Sequence, residues 1–85
     1  MKLEIKYQIL CNGAVMFQRS TPEEILEEWK GNYKVLKELA KEAPDRVKVY
    51  SYSDTTNEFF PHGKHTCYID DDIMYYELKT IATRL

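Results

Sequence analysis

The sequence predicts an α+β fold: a mostly antiparallel sheet of four to five strands with two helices on one face, forming a two-layer sandwich. Apolar and polar residues alternate with period two in residues 3–10 and 46–53, which is typical of half-buried strands. Asn12-Gly13 separates two apolar stretches and favours a hairpin turn. A capping signature at Thr21 precedes an apolar stripe of helical spacing. The expected element order is ββαββα or ββαβββα.

The first two strands form a predicted hairpin around Asn12-Gly13, a pair that tolerates the positive φ of a type I′ turn. A two-residue loop places Met16 opposite Ile9, and Phe17 then falls on the other face of the sheet. The predicted buried face contains Leu3, Ile5, Tyr7, Ile9, Cys11, Ala14 and Met16. The predicted opposite face contains Lys6, Gln8, Leu10, Val15, Phe17 and Arg19.

A helix is predicted directly after this hairpin. Thr21 is the expected cap, Pro22 suits the first helical position, and Glu24 completes a capping box. Pro44 ends the predicted helix. One stripe of apolar residues at helical spacing would face the sheet: Ile25, Leu26, Trp29, Tyr33, Leu36 and Ala40.

The second half of the chain begins with a predicted strand over residues 46–53. Residues 54–57 have turn chemistry, residues 58–60 are a short candidate strand, and residues 64–69 read as another strand. The last segment is ambiguous. We predict a helix that begins at the three aspartates 70–72, but several good strand formers in residues 75–83 make a final strand the alternative.

Length and composition indicate one domain, residues 1–85, with a nearly balanced charge. Twelve basic and 14 acidic residues leave a net charge of −2, which argues against a general nucleic-acid or membrane binder. No apolar stretch has the pattern of a signal peptide or approaches the length of a membrane helix. We therefore expect a cytoplasmic protein in which Cys11 and Cys67 are free thiols.

The strongest candidate site is the sheet face that the helices leave open. Tyrosines and basic residues are expected there, with Glu4 as the single acid. Such a face suits a protein partner or a second copy of the chain, and stacking with single-stranded nucleic acid is the alternative. Ordinary cross-strand packing would explain the same residues without a function. The candidate partner-binding residues are Phe17, Arg19, Lys48, Tyr50 and Tyr52.

A weaker candidate is a metal site at His62, His65 and Cys67. Imidazole nitrogen and thiolate sulfur are zinc ligands, and His65 and Cys67 would share one strand face. Structural zinc sites usually show two paired ligand clusters, whereas one is visible here. A turn histidine, a strand-edge histidine and a small core cysteine explain the pattern without a metal. Helix capping accounts for the aspartates at 70–72, which match no calcium loop.

Catalytic motifs are missing from the sequence. It contains no G-x-S-x-G, phosphate loop, H-E-x-x-H or dinucleotide fingerprint, so we expect neither an enzyme nor a cofactor. The expected function is a small protein–protein interaction or regulatory module that forms a homodimer through its open sheet face. Single-stranded nucleic-acid binding on that face is the alternative, and a small zinc protein is a third hypothesis.

Overall fold

The computed structural model describes residues 2–54 and 61–85, without the side chains of residues 51–54. Within these ranges one helix packs on a five-stranded antiparallel sheet. The elements are β1 (Leu3–Cys11), β2 (Ala14–Arg19), α1 (Pro22–Glu42), β3 (Val47–Asp54), β4 (Gly63–Ile69) and β5 (Asp72–Arg84). The strand order is β2-β1-β5-β4-β3. The α+β prediction is confirmed, and the candidate strand at 58–60 lies outside the described residues.

Helix α1 begins as its sequence predicts. The Thr21 hydroxyl oxygen accepts from the backbone N–H of Glu24 at 3.3 Å, and it also lies 2.8 Å from the Glu24 carboxylate. The first contact satisfies a backbone N–H that the first helical turn leaves without an intrahelical partner, and in the second the hydroxyl donates to the carboxylate. The apolar stripe is buried at Ile25, Trp29 and Leu36. This stripe holds the helix against the sheet.

The predicted turn between β1 and β2 is confirmed, since Asn12 and Gly13 have φ values of 51° and 85°. Asn12 also ties this turn to the neighbouring strand β5. Its backbone N–H donates to the Tyr75 carbonyl at 2.8 Å, and its Oδ1 accepts from the Tyr75 N–H at 2.9 Å. One residue therefore shapes the hairpin and joins it to the centre of the sheet.

The predicted register of this hairpin holds beside the turn, where Cys11 pairs with Ala14, and is wrong from Ile9 onward because β2 contains a bulge. Leu10 lies opposite Val15, but Ile9 lies opposite Phe17, so Met16 is an extra residue without a partner in β1. A bulge places two residues of one strand against one of the other. Met16 is exposed at 42%, whereas Phe17 reaches the helix-covered side of the sheet. The bulge thus exchanges the predicted positions of these two side chains.

The predicted second helix is wrong, because residues 72–84 form strand β5. Asp70 has a φ of 54° and Ile69 pairs with Asp72, so the aspartates form a hairpin turn instead of a helix cap. β5 lies between β1 and β4 and hydrogen-bonds to both. The backbone N–H and C=O groups of β5 form hydrogen bonds with both neighbours, and this pairing stabilises a strand in place of the weakly indicated helix.

The core lies between α1 and the sheet. It contains Tyr7, Ile9, Ile25, Trp29, Leu36, Val47, Cys67, Tyr76 and Leu78, with His65 buried beside them. The alternate residues of each strand point to the other side of the sheet, which the helix does not cover. Among the described residues, no helix is long and apolar enough to cross a membrane.

Candidate functional site

The face of the sheet turned away from α1, called the open face below, carries a group of neighbouring side chains that are mostly aromatic or apolar and exposed, around a buried threonine, Thr66. Two cross-strand rows make up this group: one joins β5, β4 and β3 through Tyr75, Thr66 and Tyr50, and the next joins them through Ile73, Tyr68 and Lys48. We call these six residues the tyrosine patch. Tyr75 and Tyr50 are 53% and 52% exposed, and Ile73 is 39% exposed.

A groove of about 570 Å³ runs along part of this patch. The Tyr50 and Tyr68 rings meet edge to face, with centroids 5.8 Å apart and planes at 85°. Aromatic pairs favour this geometry because the edge of one ring is positive and the face of the other is negative. The groove is lined by Asp45, Arg46, Lys48, Tyr50, Thr66, Tyr68 and Asp70. Two tyrosine rings, one threonine and four charged side chains therefore line the groove.

A bidentate ion pair between Arg46 and Asp70 lies at the groove. Arg46 donates from Nε to Asp70 Oδ1 at 3.0 Å and from Nη2 to Asp70 Oδ2 at 2.8 Å. These hydrogen bonds lower the pKa of Asp70 and raise the pKa of Arg46, because each stabilises the charged form of its partner. Lys48 and Asp45 form no ion pair with any residue that the structure describes. Acidic and basic groups are balanced around the groove.

Phe17 and Arg19 do not lie on the open face, and their predicted place there is wrong. Phe17 packs against the core. Arg19 lies opposite Tyr7, and its Nη2 is 3.2 Å from Oε1 of Glu28 on the helix. Its guanidinium also lies over the Phe17 ring, 5.4 Å from the centroid. Through these contacts, Phe17 and Arg19 hold the edge strand β2 against the core and α1.

Of the other predicted partner-binding residues, Lys48 and Tyr50 lie on the open face, and the side chain of Tyr52 lies outside the description. Tyr68 and Tyr75 also lie on the open face and are not among the residues predicted from the sequence. The sequence does not predict Tyr75 on the open face, because the pattern of its segment favours a helix. The signal that could have found it is the alternation of Tyr75 with the half-buried Met74 and the buried Tyr76.

His65 lies in a box of aromatic rings on the helix-covered side. It is 1% exposed, and its centroid is 4.4 Å from that of Trp29 and 5.0 Å from that of Tyr76. Its Nε2 lies 3.0 Å from Oδ1 of Asn32 on α1. Buried imidazoles need such partners because a polar group without one is costly in the interior. The contacts indicate a structural role for His65.

The predicted metal-ligand set is not assembled. His62 is exposed ahead of β4, whereas Cys67 is fully buried in the core. Burial also raises the pKa of the Cys67 thiol, which disfavours the thiolate that binds zinc. Among the side chains that the structure describes, those of residues 2–50 and 61–85, no three from histidine, cysteine, aspartate or glutamate are grouped to hold a metal ion.

Comparison with known proteins adds no family to this geometry. No protein-family model, no curated protein and no solved structure matches the chain. The tyrosine patch and its groove are therefore the features from which a function can be argued.

Proposed function

We propose that this chain is a small protein-binding module that contacts its partner through the tyrosine patch. The observation that carries the proposal is the continuity of exposed aromatic and apolar side chains across three strands of the open face. Tyr50, Tyr68 and Tyr75 form its aromatic part. Neighbouring exposed apolar side chains on one face are typical of a protein interaction site.

Tyrosine suits this role for physical reasons. A tyrosine ring buries a large area, loses little conformational entropy and keeps a hydroxyl for hydrogen bonding. Tyrosine is accordingly frequent among the residues that contribute most to binding at interfaces. The edge-to-face contact of Tyr50 with Tyr68 holds both rings in place before a partner arrives. Such preorganisation lowers the entropy cost of binding.

Charge also favours a protein partner. Asp45 and Asp70 balance Arg46 and Lys48 at the groove, which therefore lacks the excess of positive charge that holds a phosphate backbone. The edge-to-face contact leaves Tyr50 and Tyr68 non-parallel, unlike a flat platform for successive bases. Single-stranded nucleic acid remains the second candidate, because the open face also carries Lys48, Lys64 and Lys79.

Site-specific photo-crosslinking tests the proposal. A benzoylphenylalanine placed at Tyr75 should give a discrete adduct in cells of the protein's own source. The control position is Val35, which lies on the outer side of α1 and is 62% exposed, against 53% for Tyr75. A protease-sensitive adduct at 75 without one at 35 supports the proposal. A nuclease-sensitive adduct supports the second candidate, and no adduct, or equal adducts at both positions, contradicts the proposal.

The affinities of single variants then show which residues of the open face contribute to binding. With the crosslinked partner purified, Tyr68→Ala should weaken binding about tenfold, the loss expected when an anchoring ring is truncated. Lys64→Ala is the control, since Lys64 is exposed on the same face but lies outside the tyrosine patch. We expect the control to change affinity less than about twofold. Equal effects of the two variants would contradict the assigned role of the patch.

A further inference from the structure

The outer edge of β3 has backbone groups that point away from the sheet. β3 is the last strand in the sheet order. The Arg46 carbonyl accepts from the Asp70 N–H at 2.8 Å and so points toward β4, whereas the Val47 N–H donates the other way, to the Ala43 carbonyl at 2.9 Å. Backbone groups alternate between the two sides of an antiparallel strand. Val49 and Ser51 therefore direct both N–H and C=O outward, and Val47 directs its C=O outward.

Within the described residues, this edge lacks most of the usual protection against strand addition. Natural edge strands are commonly protected by a bulge, a proline, a short length or a lysine, and of these only a lysine, Lys48, is present between Val47 and Ser51. The other edge strand, β2, is interrupted by its bulge at Met16. In β3 the register is regular from Val47 to Ser51 and shifts only after Ser51, and residues 47–51 contain no proline. Five consecutive residues can thus accept a strand.

We propose that a second copy of this chain adds to this edge, β3 against β3, in an antiparallel pair centred on Val49. The two-fold axis sets Val49 opposite Val49 of the second copy, and each Val49 N–H donates to the other Val49 carbonyl. The Ser51 N–H of each copy donates to the outward Val47 carbonyl of the other. The Val47 N–H is already used by Ala43, so this register matches the groups that are available.

Side chains select the same register. Centring on Val49 puts Lys48 opposite Tyr50 of the second copy, and both side chains lie on the open face. This is a non-hydrogen-bonded pair, in which Cα atoms approach to about 4.5 Å, so each ammonium can contact a tyrosine ring. Lys48 is exposed and forms no ion pair in the described part of the chain. Centring on Lys48 would set two ammonium groups against each other, and centring on Tyr50 would leave the Val47 carbonyl without a donor.

The inference rests in part on the proposed function, because Lys48 and Tyr50 belong both to the tyrosine patch and to this edge. A pair of β3 strands would join two five-stranded sheets into one and set the two grooves on the same face. An interface of this length should bury less than the roughly 1,200 Å² of a stable complex. We therefore expect a dimer that dissociates in the micromolar range.

Sedimentation equilibrium from about 1 µM to about 1 mM covers that range. Tyr50→Lys places a lysine opposite Lys48 of the second copy and should weaken dimerisation about tenfold or more. The double variant Lys48→Tyr, Tyr50→Lys restores a lysine opposite a tyrosine and should return the dissociation constant to within about threefold of the original. Tyr75→Lys is the control: the same substitution at an equally exposed patch position away from the edge should leave dimerisation unchanged.

Each outcome bears on the inference. A monomer throughout the concentration range overturns it, while the crosslink at position 75 still tests the proposed function separately. A dimer that Tyr50→Lys leaves intact places self-association elsewhere and also overturns it. Weakening without rescue by the double variant overturns the register. Circular dichroism and thermal melting of each variant identify any loss of affinity that is caused by unfolding.

Discussion

Phe17 lies directly opposite Ile9 across the β1–β2 pair, and the extra residue Met16 is what brings it there. Side chains alternate across a strand, so a shift of one residue moves every later side chain to the other face. Phe17 thereby joins the core and Arg19 reaches Glu28 on the helix. The bulge converts two expected binding residues into structural ones.

Phe17→Asp should therefore destabilise the fold instead of weakening partner binding alone. A buried or half-buried aromatic ring contributes about 2 kcal/mol, and a carboxylate in its place adds a desolvation cost. We expect a loss of at least about 2 kcal/mol in the free energy of unfolding, measured by urea denaturation. Val15→Asp is the control, because Val15 is 53% exposed on the open face, and it should cost less than about 1 kcal/mol. A Phe17→Asp variant as stable as the Val15→Asp variant would contradict the register.

His65→Ala should be strongly destabilising because it empties the space between Trp29 and Tyr76. Truncation of a large buried side chain costs about 3 kcal/mol. His62→Ala is the matched control at an exposed histidine, and we expect it to cost less than about 1 kcal/mol. The measurement is chemical denaturation of both variants. If the two variants lose equal stability, the structural role of His65 is wrong.

The Arg46–Asp70 pair predicts a pH-dependent contribution to stability. Hydrogen bonds from Arg46 hold the pKa of Asp70 below its ordinary value of 3.8, so the folded state favours the carboxylate. The contribution is complete above the ordinary value and is lost as the pH falls through the lower folded value. The difference in urea midpoint between the original protein and Asp70→Asn should be constant from about pH 7 to about pH 5 and shrink below about pH 4.

Asparagine is a suitable replacement at position 70, since it tolerates the φ of 54° found there. Asp45→Asn is the control, because Asp45 forms no ion pair with a described residue. The difference in urea midpoint between the original protein and Asp45→Asn should change less with pH than the corresponding difference for Asp70→Asn. A midpoint difference for Asp70→Asn that stays the same down to pH 2 would show that the ion pair does not contribute.

The two thiols should react at different rates. Cys67 is fully buried and its pKa is raised by desolvation, so little reactive thiolate is available. Cys11 is half-buried. With an aromatic disulfide reagent near pH 8, we expect Cys11 to react at least about tenfold faster than Cys67 in the folded protein. Cys11→Ser and Cys67→Ser identify each phase, and equal rates would contradict the burial of Cys67.

A disulfide between these thiols is excluded by the topology. Cys11 lies opposite Tyr76, and Tyr76 lies opposite His65 on the next strand, so β5 separates the two cysteines. Neighbouring strands are about 4.8 Å apart, which puts Cα atoms two strands away at about 10 Å. A disulfide requires Cα atoms within about 7 Å. The expectation of free thiols is confirmed.

Local signals in the sequence were sufficient for the first half of the chain. The cap at Thr21, the stripe through Trp29 and the turn at Asn12-Gly13 all act between residues near one another in sequence. Each element was predicted because its stabilising interactions are local. The bulge at Met16 could not be predicted from local signals, because it depends on which residue of β2 packs against the core.

The last segment shows where local signals were insufficient. Its apolar residues fit a helix weakly and a strand nearly as well, and Asp70 and Asp71 suit a helix cap or a turn. β5 gains hydrogen bonds from β1 and β4, which are distant in sequence. Tyr75 entered the candidate site only because this pairing turned the segment into a strand.

The sequence by itself determined the α+β class, the first hairpin turn and the helix with its cap, because their stabilising contacts join residues close along the chain. The tertiary structure alone decided that the last segment is a strand, that Phe17 and Arg19 face α1, and that Tyr50, Tyr68 and Tyr75 share one surface. These outcomes depend on pairing between distant strands, and pairing sets which face of the sheet each side chain occupies.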